Sequence, residues 1–356
     1  MSPQPTSHEG ETMRGLRQSA IMGALALALP LAACGGGGEA GSGELTPITV
    51  TSLPSAFLAS MYVADERGIF EQEGLDVEIV ELQSGIDGVA AVVSGSAQYA
   101  DMGFDDLATL ASEGEDSLVM VHNLVGRVTF ALVMNPDVAR ERGVSRESPI
   151  EERYAALKGL RLGVTSPGAA TDKYMRYYLR QAGLDPERDA EIIAIGDGSS
   201  LLAALETGQI DAYQLSPPTP YVAAAEGFGT LLIDGAAGDV PLFANFVYTG
   251  FAANRQWAEE NPEAARAFSR ALNAAIEQVA ADPGTAATEI VDRMSADDVA
   301  IIRQTLEALL PALSMDGCFD PEAVQTTLAT MHEVELTPAA GDPAEGALWT
   351  NAYNDC

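Results

Sequence analysis

The sequence predicts an α/β protein of two lobes, each a mostly parallel sheet flanked by helices, with two strands crossing between them as a hinge. Three observations point there. From Leu45 onward, short β-rich runs alternate with helical runs, the order that lays strands parallel. The alternation begins again near Leu160. One helix–glycine–strand unit also occurs once in each half: Val89-x-x-Val92-x-x-Gly95-x-Ala97 parallels Leu202-x-x-Leu205-x-x-Gly208-x-Ile210.

Taken in order, residues 48–51 read as a strand. Leu58, Met61 and Tyr62 follow at helical spacing, and Gly68 closes that helix. Residues 76–82 alternate apolar and polar, a second strand. Ile86, Val89, Ala90 and Val93 share one helix face, with Gly95 behind them. Residues 97–102 and 117–121 are further strands. In the second half, residues 160–164 form a strand, and the next helix carries Met175, Tyr178, Leu179 and Ala182 on one face before Gly183. Residues 191–195 are a strand, Leu201, Leu202 and Leu205 a helix ending at Gly208, and residues 210–215 a strand. Residues 129–134 and 246–252 are apolar strands placed to cross between lobes. After Trp257 the chain turns mainly helical, with a long amphipathic helix over residues 263–280 stopped at Asp282-Pro283-Gly284. Residues 300–310 form another helix, and the Gly/Pro-punctuated residues 338–356 wrap a surface. Two crossings make one lobe discontinuous: residues 45–130 plus 250–356, against residues 131–249.

The N-terminus reads as an address. Arg14 and Arg17 precede an apolar run over residues 20–33, which is short for a spanning helix of about 20 residues. The run closes on Leu31-Ala32-Ala33-Cys34, which resembles the bacterial lipobox; the resemblance implies cleavage before Cys34 and lipid on its sulfur. Residues 1–34 are then signal peptide and lipidated cysteine, with Met13 a candidate start. Residues 35–44, rich in Gly and Ser, form a flexible tether. The body sits outside the cytoplasm, held to the membrane by the lipid alone.

Composition excludes more than it names. With 52 acidic against 19 basic residues the net charge is -33, which repels phosphate backbones and argues against nucleic acid as a partner. Only Lys158 and Lys173 are lysines. Cys318 and Cys356 share an oxidising compartment if the body is exported, and a disulfide between them is favoured over two separate thiols.

The stretch Tyr62-Val63-Ala64-Asp65-Glu66-Arg67-Gly68-Ile69-Phe70-Glu71-Gln72-Glu73-Gly74-Leu75-Asp76-Val77-Glu78 resembles the opening signature of the SsuA/THI5-like (NMT1-like) solute-binding proteins. Residues 155–164 and 205–212 are similar to later motifs in the same order, so the likeness covers residues 48–252. It implies a type II-like periplasmic-binding-protein fold that closes on one solute in an interlobe cleft. It also implies an ABC permease as partner, a monomer, and no cofactor. Relatives bind sulfonates, taurine, nitrate or pyrimidine precursors, so a small anion is the expected solute and a planar heterocycle the alternative.

In open α/β sheets ligands collect beyond the carboxyl ends of strands, which selects five loops. Ser55 and Phe57 follow the first strand; the alternative is an ordinary helix start capped by Ser55. Ser84 and Gly85 follow the second, with Gly85 allowing close backbone approach. Phe104 follows the third and is a wall of the cleft or core, while Asp105 beside it reads as a helix N-cap. Ser166, Ala170 and Thr171 lie at a helix start whose free N–H groups and dipole suit an anion, or which is simply capped. Ser216 follows a later strand and offers a hydroxyl or a rigid turn. Arg127 reads as a hinge or surface salt bridge, with a bidentate contact to an acidic ligand as the alternative. Phe57, Phe104, Tyr174 and Tyr213 would suit a planar ring.

An enzyme is the rival class. The pyrimidine synthases that share this fold carry a Cys-rich motif that this chain lacks, and its three histidines, His8, His122 and His332, are too few for a typical histidine metal site. No metal and no catalytic residue is therefore expected.

Overall fold

The computed structural model describes residues 45–82, 85–294 and 298–356. The chain begins with β1 (Thr46–Ser52), a 3₁₀ turn (Ala56–Leu58), α1 (Ala59–Glu66), α2 (Ile69–Gln72), β2 (Leu75–Glu81), α3 (Gly85–Val93), β3 (Tyr99–Gly103), α4 (Phe104–Ser112) and β4 (Leu118–Val125). It continues through β5 (Ala131–Met134), α5 (Pro136–Arg142), α6 (Ile150–Ala155), β6 (Arg161–Val164), α7 (Ala170–Gln181), β7 (Glu191–Ala194), α8 (Gly198–Glu206), β8 (Ala212–Leu215), α9 (Thr219–Ala225) and β9 (Thr230–Asp234). It ends with β10 (Thr249–Asn254), α10 (Arg255–Glu260), α11 (Pro262–Ala281), α12 (Pro283–Ile290), α13 (Val299–Leu309) and α14 (Pro321–Glu333).

These strands make two five-stranded sheets, ordered β2-β1-β3-β10-β4 and β7-β6-β8-β5-β9. In each, four strands run parallel and the fourth in order, β10 or β5, runs against both neighbours. The sheets are thus built alike, and the two copies of the helix–glycine–strand unit occupy equivalent places, α3 to β3 and α8 to β8. Strand β4 (LVMVHNLV) is buried along its whole length, as a strand covered on both faces requires. Helix α11 starts on Pro262 and buries Ala265, Phe268, Leu272, Ala275, Ile276 and Val279 at helical spacing. Its Phe268 stacks on Tyr99 at 4.2 Å and on Phe70 at 5.5 Å, joining the first sheet to its helical layer.

The chain passes between sheets twice, over residues 126–130 and 235–248, and the two passages are bonded to each other. Tyr248 N–H donates to Val125 (3.0 Å), Phe246 N–H to Gly126 (3.0 Å), and Val128 N–H to Phe243 (3.3 Å). Arg127 donates to the carbonyls of Ala236 (2.9 Å) and Ala244 (3.2 Å), so it clamps the backbone of the second passage and, among the described residues, makes no salt bridge. Gly235 allows the approach: a Cβ there would lie 2.4 Å from the Val128 carbonyl oxygen. Residues 129–130 and 246–248, expected as strand, belong to these passages; the strands themselves start at Ala131 and Thr249. The strand expected over residues 117–121 runs on to Val125.

The C-terminal segment lies on the open edge of β4. Met120 N–H donates to Leu348 (2.8 Å), Thr350 N–H to Met120 (3.0 Å), and Val125 bridges Leu313. Trp349 is buried there, and Cys318 and Cys356 form a disulfide (S–S 2.02 Å). This covers an edge that would otherwise offer a row of unpaired backbone groups.

Candidate functional site

The carboxyl ends of the parallel strands of both sheets, with the passages between them, form the candidate site. Four of the five expected loops lie wholly within the described residues. Ser55 precedes the 3₁₀ turn with extended backbone, and its hydroxyl makes no capping bond; it is buried without a partner among the described residues. Phe57 and Phe104 are core residues, Phe104 fully enclosed at the start of α4. Helix α13 packs on both the Ala56–Leu58 turn and α9, which covers Phe57. Ser84 lies outside the described residues, as does Cys34, and Gly85 opens α3.

At the start of α7, Ser166 is exposed and Ala170 half-buried. The Thr171 hydroxyl is spent on its own loop, accepting from Thr165 N–H (3.0 Å) and pairing with the Thr165 hydroxyl (2.7 Å). The turn is also partly filled from within, since Gly168 N–H donates to Asp172 Oδ2 (2.8 Å), whose other oxygen accepts from Arg176 (2.7 Å). Ser216 reaches the first passage, its hydroxyl 2.8 Å from that of Thr129. The expected aromatic wall is closed on itself: Tyr174 meets Phe130 and Phe243 edge-on at 5.3 Å, and Tyr213 is fully buried.

The structure adds a group that the loops did not suggest. Lys173, in the first turn of α7, points its ammonium at Asp105 Oδ2 (3.0 Å) and Asp106 Oδ1 (2.8 Å) of α4. One partner belongs to the second sheet and two to the first, so the ion pair joins the halves. Asp105 is not the N-cap of α4; Gly103 holds that place, and the buried Asp105 carboxylate turns to Lys173. Burial pulls the Lys173 ammonium down, but the two carboxylates outweigh it and hold it above the usual lysine range. Burial and the charge of Asp105 raise the Asp106 carboxyl, against the pull of Lys173. A second link, Arg180 to Glu335 at 3.4 Å, ties α7 to the turn that follows α14. The sequence held one signal for this: a lysine in the first turn of a helix opposes the dipole, so it must answer to something else. Among the described residues no group of His, Cys, Asp or Glu side chains could hold a metal ion.

A family model described as the NMT1-like family matches residues 41–294. YtlA of Bacillus subtilis (strain 168) is 25% identical over 256 residues, 71% of this chain and 70% of that protein. The nitrate/nitrite binding protein NrtA of Nostoc sp. is 24% identical over 241 residues, 64% of this chain but 53% of its own length, so the chain spans about half of that relative. The solved periplasmic aliphatic sulphonate binding protein SsuA from Escherichia coli superposes with a TM-score of 0.65 at 19% identity, over 86% of this chain and 99% of that one. The shared fold is that of periplasmic binding proteins, and with the family model running through most of both sheets this chain belongs to the NMT1-like family.

Proposed function

We propose that this chain is the extracytoplasmic solute-binding component of an ABC importer, holding a small anion of the nitrate or sulfonate type between its sheets and presenting it to a permease. The observation that carries this reading is the pair of like-ordered sheets between which the chain crosses twice, with strand carboxyl ends on both sides of the junction. Such a build lets one half rotate on the other and lets a ligand that touches both bias the closed state. Relatives named for nitrate/nitrite and aliphatic sulphonate support the solute class. The part is binding, not catalysis, and Cys34 carries the lipid that keeps a monomeric body at the membrane.

Thermal-shift measurements with nitrate, alkanesulfonates, aromatic carboxylates and pyrimidine precursors test the solute class, and X-ray scattering with each binder tests closure. A raised melting temperature without any compaction would overturn the closing mechanism. Cys34→Ala should abolish labelling by radioactive palmitate and release the body from the membrane.

A further inference from the structure

Gly126, the first residue of the first passage, is held from two sides. Its N–H donates to the Ala312 carbonyl (2.8 Å), and its own carbonyl accepts from Phe246 N–H (3.0 Å) of the second passage. The segment that begins at Ala312 then runs beside β4: Val125 bridges Leu313, Ser314 N–H donates to Leu124 (2.9 Å), and Asn123 N–H donates to Gly317 (2.9 Å). The second passage is gripped from the same region, since Val247 N–H donates to the buried Thr327 hydroxyl of α14 (2.9 Å). Between Ala312 and Thr327 lies Cys318, bonded to Cys356. All of these bracing residues come after residue 294, where the family model stops. Cys356 is exposed and Cys318 half-buried, so an attacking thiolate can reach the bond. Asn351 bonds Phe319 in both directions (2.9 and 3.0 Å), which keeps the C-terminal segment seated when the sulfurs part.

We infer that the Cys318–Cys356 disulfide is a redox-controlled brace on the hinge. Intact, it holds Ala312 and Thr327 against the two passages and favours the arrangement in which Lys173 reaches Asp105 and Asp106. A dithiol opens it: two electrons and two protons pass to Cys318 and Cys356, which become thiols, while the reductant closes to its own disulfide. The 312–318 segment is then free to leave β4, Gly126 loses one of its two partners, and conformations with the halves apart gain weight. The inference rests on the solute-binding reading above and adds a control to the same site. A solute that must touch both halves is bound in proportion to the joined fraction, so its affinity falls when the brace is cut.

The test compares the oxidised chain with the chain treated with dithiothreitol, at a temperature where melting curves show both folded. X-ray scattering without ligand should give a larger radius of gyration after reduction. Amide exchange should quicken at Gly126 and Val247 as well as in β4, with β6 and β8 unchanged. Calorimetric titration with nitrate, ethanesulfonate and 2-aminoethanesulfonate should show whichever of them binds losing roughly fivefold in affinity. Cys318→Ser with Cys356→Ser should match the reduced chain and ignore dithiothreitol. Thr327→Val, which removes one grip on the passages and keeps the disulfide, should enlarge the radius as well, and it decides the matter if the reduced chain does not stay folded. An unchanged radius with unchanged exchange at Gly126 and Val247 overturns the brace and leaves the disulfide a stabiliser only. Silence from all three compounds overturns the solute class proposed above, while scattering and exchange still decide the brace.

Discussion

Gly250 sits where the pairing of β10 with β4 is irregular, and a Cβ there would lie 2.2 Å from the His122 carbonyl oxygen. Backbone cannot yield as a side-chain tip can, so Gly250→Ala should cost about 2 kcal/mol, read as a lower urea midpoint. Two titrating side chains pull stability in opposite directions with pH. Burial lowers the His122 imidazole from 6.5 to about 4. The unfolded chain therefore takes up a proton that the folded one refuses, and stability, complete above 6.5, falls as pH drops toward 4. Burial pushes the Asp101 carboxyl up from 3.8 to about 7, against a hydrogen bond from Thr249. Its contribution is complete below 3.8 and is lost as pH rises through 7. Asp101→Asn should therefore raise the melting temperature at pH 8, with a gain that shrinks toward pH 4; an equal gain at both would contradict the assignment. Residues such as these were illegible in the sequence, where burial of one Asp among 52 acids leaves no mark. Phe57 and Phe104 show the same limit: their place in the chain suited a cleft wall, but cover supplied by distant α13 and the surrounding core decided otherwise.

Elements with strong periodicity were legible and short ones were not. The spacing of Phe268, Leu272, Ala275 and Val279 defined α11, and the apolar run 117–121 located β4. Helices α5, α6 and α9, of six or seven residues, carry too few turns for a stripe to show. Strand β9 was missed because its neighbours in the sheet, not its own alternation, define it. At this scale the disulfide has a measurable consequence. It closes a segment of 38 residues, for which chain entropy gives about 4 kcal/mol. Reduction, or Cys318→Ser with Cys356→Ser, should lower unfolding free energy by about 2–4 kcal/mol. Amide exchange should then accelerate first in β4, whose edge the segment covers.

Across the whole molecule the two halves are held by the paired passages, by α13, and by the Lys173 and Arg180 ion pairs. Lys173→Met would leave the buried Asp105 charge uncompensated, at a cost of about 3 kcal/mol. The expected result is a lower melting temperature together with a larger radius of gyration in ligand-free solution. A variant that melts lower but scatters identically would show that the pair stabilises without joining the halves. The overall architecture was readable because it repeats: two like runs of strand and helix, and two apolar stretches between them. The meeting of α4 with α7 was not, because it depends on how the halves approach each other.

The place of β10 also dictates an order of assembly. The second sheet is complete once the chain has been made as far as Asp234, all its strands being contiguous in sequence. The first cannot be: among the described residues β10 is the one strand beside β4 in the sheet, and the segment on its other edge lies later still, so Leu118–Val125 waits, apolar and unpaired, until Thr249–Asn254 arrives. Such distant pairing is slow and exposes adhesive surface meanwhile. Pulse-labelled amides should become protected in β6 and β8 before β3 and β4, and a nascent chain stalled between those points would be the form most in need of a chaperone.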